Sequence, residues 1–343
     1  MCLFSLLLAS CATNGPLVHP RQDSREDDQF LTAAVVQFEI GPEFAADEQS
    51  FRSSVTEIVE EVMLADNPDL IVFPEYTNVF LAVIPFYPLI DEAETVLEGF
   101  EEIREENPQI TAISDIFILE DDAVRSLMDR VWGGLADKYD VTIVAGSYFA
   151  AEPALSSPPG EGKHGREALL KNRAVVYGPS GKAVYTQDKV FLTEFERDVV
   201  GMSGGTVNEA GSFFVEGEEV VLTLCRDTFF EVWEEQHDGA FLWFDLKANG
   251  TDFDREEEER FATALPERLV SADVSYGATA CLTGSFLDLF WEGESSVITR
   301  IGEGRVDTVA VSSTVDRGDV LVYSFPLAEA ISSGEDAPSG NRK

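Results

Sequence analysis

Val220-Val221-Leu222-Thr223-Leu224-Cys225-Arg226-Asp227-Thr228-Phe229-Phe230 is an apolar run that stops on a cysteine and turns polar. Val and Leu in close succession read as a buried strand, so the thiol of Cys225 sits where a strand ends and the chain turns. In α/β proteins such a position holds a side chain at the mouth of a cleft, with the following backbone N–H groups left to face an anion. Free cysteine is also among the most buried residue types, and Cys225 reads equally well as a small hydrophobe closing a core. Its partners decide between the two readings.

Towards the N-terminus, the same strand signal recurs at Leu31 to Phe38 and at Asp69 to Phe73, the latter running into Pro74 and Glu75. Between them, Ser50 to Leu64 has helical spacing at Phe51, Val55, Ile58, Val59 and Val62, and Asn67-Pro68 ends it. The succession is a βαβ unit. Phe80 to Ile118 is broken by prolines and holds an acidic helix from Glu92 to Asn107; it reads either as a pocket wall or as a packed connection. An amphipathic helix over Asp121 to Tyr139 leads to a strand at Val141 to Phe149. Pro153 to Gly165 is a surface loop, and Ala174 to Thr186 a β-hairpin turning on Gly178-Pro179-Ser180-Gly181. This hairpin feeds directly into Lys189. After Cys225, a helix from Phe230 to Asp238, a strand at Ala240 to Leu246 and one charged helix over Glu256 to Ser271 are expected. Four more strands are expected at Gly277 to Thr283, Ser296 to Thr299, Thr308 to Ser313 and Val320 to Phe325. Strands alternating with helices twice over make one α/β domain of two related halves.

Three buried-looking strands therefore deliver a carboxylate (Glu75), an amine (Lys189) and a thiol (Cys225). A thiol needs a base near neutral pH, and a carboxylate in a dry pocket can have its pKa raised enough to serve. The lysine would lower the thiol pKa and stabilise the oxyanion formed when the sulfur attacks a carbonyl or nitrile carbon.

Phe73-Pro74-Glu75, Lys189 with Leu192 and a following glutamate, and Leu224-Cys225-Arg226-Asp227 resemble the three signature segments of the nitrilase superfamily of carbon–nitrogen hydrolases. Leu135-Ala136-Asp137-Lys138, Asn172-Arg173-Ala174 and Gly293-Glu294-Ser295-Ser296 are similar to intervening segments, and the likeness runs from about Leu31 to Phe325. The resemblance implies an αββα sandwich, with Glu75 as general base, Lys189 as oxyanion-stabilising cation and Cys225 as nucleophile. It also implies a second glutamate, Glu196 with Glu194 as the alternative, and an oxyanion contact from the backbone N–H of Arg226. The sequence departs from the family pattern at Arg226, where an aromatic residue is more usual, and at Phe191, where histidine is frequent. The activity so implied is hydrolysis of amides ahead of nitriles, working through a cysteine thioester and needing no cofactor. Acyl transfer to an amine is the alternative within that chemistry, and a binding protein without turnover the alternative outside it. Members of the family commonly associate as dimers, so a homodimer is a further expectation.

Composition bounds the partners. The chain has 343 residues, 44% hydrophobic and 26% charged, with 64 acidic against 24 basic residues and a net charge of −40. Such a surface repels nucleic acid and anionic lipid headgroups, and it fits a saline habitat where counter-ions screen self-repulsion. Leu3 to Leu8 is an apolar run too short to span a bilayer, and Leu8-Ala9-Ser10-Cys11 resembles the lipobox of bacterial lipoproteins, although no Lys or Arg precedes it. The resemblance implies a signal peptide over 1–10, acylation at Cys11, a tether over 11–29, a hydrolase domain over 30–326 and a disordered tail over 327–343. The protein would then reside in the bacterial cell envelope, touching membrane only through its lipid. Cys225 and Cys281 remain in the body, which is no disulfide framework, and the three histidines argue against an imidazole metal site.

Other features compete weakly for function. Gly201-Met202-Ser203-Gly204-Gly205 fits Gly-x-Ser-x-Gly but lacks a preceding long strand and a following helix. His164, in a loop, and His237, at a polar helix end, read as solvated surface residues rather than partners of Cys225. Glu256 to Glu259 reads as the solvated face of a helix. Trp243, Trp291, Phe229 and Phe230 read as core before pocket.

Overall fold

A computed structural model describes residues 30–153, 168–302 and 304–327. Cys11 and the segments assigned to signal and tether, His164, and the tail beyond Leu327 lie outside the described residues. The strands, in chain order, are β1 (Phe30–Ile40), β2 (Leu70–Val72), β3 (Thr142–Pro153), β4 (Ala168–Tyr177), β5 (Ala183–Asp188), β6 (Phe213–Val215), β7 (Glu218–Leu224), β8 (Leu242–Lys247), β9 (Tyr276–Phe286), β10 (Leu289–Trp291), β11 (Ser296–Arg300), β12 (Val306–Val311) and β13 (Asp319–Pro326). The helices are α1 (Glu48–Ala65), α2 (Tyr87–Ile90), α3 (Val96–Glu106), α4 (Ile113–Met128), α5 (Gly134–Tyr139), α6 (Val232–Gln236), α7 (Arg255–Ala262) and α8 (Leu265–Ser271).

The unbroken apolar runs of the sequence are explained by burial on two faces. In β1, Leu31, Ala33 and Val35 point one way, into a core shared with Leu222, Leu224, Leu242, Phe244 and Leu246. The alternate residues Ala34, Val36 and Phe38 point the other way, against Phe51, Val55 and Val59 of α1. In β7 and β8 the outer set is Val221 and Trp243, packed on Trp233 of α6 and on Leu265 and Leu269 of α8. Each strand thus has a sheet on one side and helices on the other, which gives four layers, helix, sheet, sheet, helix. The fold is the αββα sandwich. Fully burying one Leu or Phe contributes about 1.5–3 kcal/mol, so the inter-sheet layer alone is a strong reason for the two sheets to stay together.

One sheet runs β5-β4-β3-β2-β1-β13 and the other β6-β7-β8-β9-β11-β12, with β10 paired to β9. Each contains a parallel trio, β1-β2-β3 or β7-β8-β9, flanked by antiparallel strands. The last residues of β1 bridge the sheets, Phe38 to Ile40 pairing parallel with Leu282 to Gly284 of β9. Among the described residues no helix is long and apolar enough to cross a membrane.

Three elements differ from the sequence reading. The helix expected over Glu256 to Ser271 is two, α7 and α8, because Pro266 starts α8 and cannot continue α7. The helix expected from Phe230 shrinks to α6, since Cys225–Phe229 is taken up by a 3-10 turn. The helix expected at Asp121 begins instead at Ile113 and reaches Tyr139 through a widened turn at Asp129–Gly133. That turn brings Gly133 against the β4–β5 hairpin, where an added Cβ would lie 2.4 Å from the carbonyl oxygen of Gly181.

Candidate active site

Glu75 follows β2 in a tight turn that β3 holds in place. Between Val144 and Ser147 the β3 ladder bulges, with Gly146 at φ +73°. The bulge exposes three anchors. The N–H of Tyr76 donates to the Ser147 hydroxyl at 2.9 Å, the N–H of Asn78 to the Ser147 carbonyl at 3.0 Å, and Asn78 Nδ2 to the Ala145 carbonyl at 2.7 Å. Trp132 Nε1 completes the clamp on Asn78 Oδ1 at 2.8 Å. Tyr76 sits at φ 65°, a strained value for an aromatic residue, as Cys225 does at φ 50°. Left-handed non-glycine residues gather at functional sites, and here one follows Glu75 directly and the other is Cys225 itself.

Lys189, on the segment leaving β5, reaches the same turn. Its Nζ donates to Glu75 Oε1 at 2.8 Å and to Glu196 Oε1 at 3.0 Å, and all three side chains are buried. Asn172 of β4 bridges the two carboxylates through Nδ2, 2.8 Å from each Oε1. The Tyr76 hydroxyl donates to Glu196 Oε1 at 2.8 Å, and the N–H and hydroxyl of Thr193 engage Glu196 Oε2 at 2.8 and 3.0 Å. Glu194 is exposed, so of the two glutamates weighed from the sequence it is Glu196 that joins the cluster. Oε2 of Glu75 has no partner among the described residues, and it is the one oxygen of the two carboxylates left to take a proton.

The electrostatics separate these groups. Burial, reinforced by the charge of Glu196, pushes Glu75 up to about 7 against the pull of Lys189 and Asn172. Glu196 is buried too, but the Lys189 charge and the hydrogen bonds from Thr193, Lys189 and Tyr76 outweigh that and hold it below the ordinary carboxylate range. Burial also opposes the charge of Lys189, yet Glu75, Cys225 and Glu196 more than offset it and keep the ammonium protonated far above neutral pH. The Cys225 thiol is pushed up to about 12 by burial and by the Glu75 carboxylate, with Lys189 and Lys247 pulling the other way. Near neutral pH the thiol is therefore protonated, beside a carboxyl raised towards neutrality.

Cys225 follows β7 and opens the 3-10 turn, half-buried as a residue. The first N–H groups of such a turn, Arg226 among them, lack acceptors within it. The Arg226 side chain is exposed and donates from Nη1 to the Leu192 carbonyl at 3.2 Å. Phe191 stacks on Phe230 with ring centroids 3.7 Å apart.

Sequence reasoning passed over two groups that build this corner. Asp227 is buried and receives the N–H groups of Val190 at 3.2 Å and Phe191 at 2.8 Å, tying the Cys225 turn to the Lys189 segment. Lys247, at the end of β8, is also buried; it is ion-paired with Asp245 at 2.7 Å and donates to the Cys225 carbonyl at 3.3 Å and the Thr228 hydroxyl at 3.2 Å. Its ammonium also lies 4.8 Å from the Phe229 ring centroid and 4.6 Å from that of Phe261. The available signal was Asp245 and Lys247 at i and i+2 in an otherwise apolar strand, an expensive placement unless the charges are paired and used.

The remaining candidates do not converge here. His237 is the correction: expected at a solvated helix end, it is buried between Trp233 and Trp243, at ring centroid distances of 5.1 and 4.6 Å. The five-residue α6 packs flat on β7 and β8, so its last turn faces inward, and burial pushes the imidazole down to about 4. Ser203 lies in a loop whose N–H bonds the Leu170 carbonyl at 2.9 Å, without a strand or helix to make it a nucleophile. Of Glu256 to Glu259 only Glu257 is buried. Among the described residues no three His, Cys, Asp or Glu side chains are grouped to hold a metal ion.

No family model matches the sequence, and no curated relative is similar to it. Solved structures are similar in fold. A double mutant of the amidase from Nesterenkonia sp. AN1 in complex with acrylamide superposes with a TM-score of 0.58 at 17% identity, covering 92% of this chain and 96% of that one. A Cys-to-Ser mutant of the same amidase, from the nitrilase superfamily, gives 0.57 at 17% identity over 89% and 95%. A third form of it, carrying a Michael adduct of acrylamide at the active-site cysteine, gives 0.57 at 17% identity over 89% and 96%.

Proposed function

We propose that the protein is a carbon–nitrogen hydrolase that cleaves amides, ahead of nitriles, through a thioester on Cys225. The observation that carries this reading is the buried Glu75–Lys189–Glu196 cluster beside a cysteine held in left-handed backbone at a strand end. Its two carboxylates have been driven apart, one poised near neutrality and one fixed as an anion, which is the separation that acid–base catalysis needs. Ionised Glu75 takes the thiol proton as sulfur attacks the carbonyl carbon. The resulting oxyanion is met by the Lys189 ammonium and the backbone N–H of Arg226. Glu75 then returns its proton to the leaving nitrogen, and the amine departs. Water, deprotonated by Glu75, hydrolyses the thioester and regenerates thiol and carboxylate. Glu196 stays ionised throughout and keeps Lys189 charged and aimed.

Intact-protein mass spectrometry after incubation with small amides, nitriles and carbamoyl amines tests the reading. An acyl adduct on the wild type, absent from Cys225→Ala, is the expected result. No adduct and no product from folded protein would replace it with a binding function for the same fold.

A further inference from the structure

A cavity of about 400 Å³ adjoins the catalytic cluster without containing Cys225, Glu75 or Lys189. Tyr76 and Thr193 line it, and both hold Glu196 through their hydroxyls; Ala248, next in the chain after Lys247, lines it as well. The cavity thus lies beside the cluster and not at the sulfur itself. Much of the wall comes from the stretch holding Phe80, Ile103 of α3 and Ile116 of α4, and it is met by Phe149 of β3 and by Phe286 and Trp291 of β9 and β10. Phe80 stacks on Phe286 with centroids 4.2 Å apart and meets Trp291 edge-on at 5.8 Å, so the aromatic side is fixed by packing. No lysine or arginine among the described residues lines the cavity, and its one acidic residue, Asp288, already accepts the N–H of Val96 at 2.8 Å, at the start of α3. An anionic group entering here would lose its water without finding a cationic partner, and the exposed Asp288 at the rim is the one charge on the wall.

We propose that this cavity is the substrate-tail site, and that the preferred substrate is an amide carrying an extended, uncharged hydrophobic chain or ring system rather than a short aliphatic amide. The assignment rests on the hydrolase reading above for its reaction, and on the cavity for its chemistry. Each methylene moved from water into an apolar cavity strengthens binding about four-fold. A short amide reaching only Cys225 gains none of this. The tail belongs to the acyl or to the amine side of the scissile bond, and both place the same chemistry in the cavity.

Two substrate series separate them: straight-chain amides from acetamide to decanamide, and acetamides bearing N-alkyl groups of the same lengths. kcat/KM on the wild type is to be read beside calorimetric binding to the Cys225→Ala protein. In one series both quantities rise about four-fold per methylene until the cavity is filled and then level off; the series that rises names the side that enters. Ile116→Trp, which narrows the cavity, moves the plateau to shorter chains, and Val96→Trp at the half-exposed rim does the same should Ile116→Trp fail to fold. Binding and kcat/KM that stay flat or fall with chain length in both series overturn the proposal. Binding that tightens along a series with no turnover of any member overturns the hydrolase reading and leaves the cavity assignment standing.

Discussion

Burial drives the behaviour of Glu75, and its consequence is a pH dependence with a definite sign. Its value rises from 4.5 to about 7, so the protein favours the protonated carboxyl. The stability this gives is fully present below the unfolded value and is lost as pH rises through about 7. Under the proposed mechanism activity runs the opposite way, because Glu75 acts as base only when ionised: kcat/KM is expected to rise about tenfold per pH unit up to about 7 and to be flat above it. Asp227 is also pushed by burial to about 7, so the limb needs assigning. Glu75→Gln is expected to lose about 100- to 10,000-fold in kcat/KM together with the limb, while Asp227→Asn keeps the limb. A limb that survives in the residual activity of Glu75→Gln would transfer it to Asp227. Glu75, Lys189 and Cys225 were legible in the sequence because each ends or follows an apolar run beside a recognisable motif. Lys247 and Asp227 were not, since their importance lies in whom they touch across the fold.

At the level of elements, the position of Glu75 depends on the bulge in β3. Gly146 combines φ +73° with a close approach: an added Cβ would lie 2.1 Å from the Pro74 carbonyl oxygen. Gly146→Ala therefore carries the left-handed strain, about 1–2 kcal/mol, and the overpacking, about 1–3 kcal/mol. Gly201 has φ +80° with nothing within 4 Å of an added Cβ, so Gly201→Ala isolates the strain alone. Urea unfolding should show Gly146→Ala the more destabilised of the two by about 1–3 kcal/mol, with a fall in kcat as the Glu75 turn shifts. Equal losses, or unchanged kcat in Gly146→Ala, would remove the bulge from the account of the site. The strands of both parallel trios were readable as apolar runs. The split between α7 and α8 was signalled by Pro266, but the charged periodicity on either side of it masked the break. Phe80 to Ile118 read as a packed connection before a pocket wall, because the two have the same apolar composition; in the folded protein Phe80, Ile103 and Ile116 line a cavity.

For the molecule as a whole, a net charge of −40 sets a self-repulsion that salt screens. Raising KCl from about 0.1 M to about 1 M shortens the screening length from about 10 Å to about 3 Å. The thermal unfolding midpoint is expected to climb over that range, with sucrose of equal osmolality giving a smaller rise. A flat or falling midpoint would mean that the acidic surface is not under repulsive strain. An α/β domain and the strands of its parallel trios were legible before any folding, because burial on two faces writes continuous apolar runs; the αββα sandwich, and Glu75, Lys189 and Cys225 as a set, were read from the family resemblance. Packing alone settled that Glu196 rather than Glu194 completes the cluster and that His237 is buried. It also set Lys247 under the carbonyl of Cys225 and closed a cavity from segments some two hundred residues apart. The physical reason is range: periodicity reports whether a side chain is buried, whereas its partners across the chain are chosen by how sheets and helices pack.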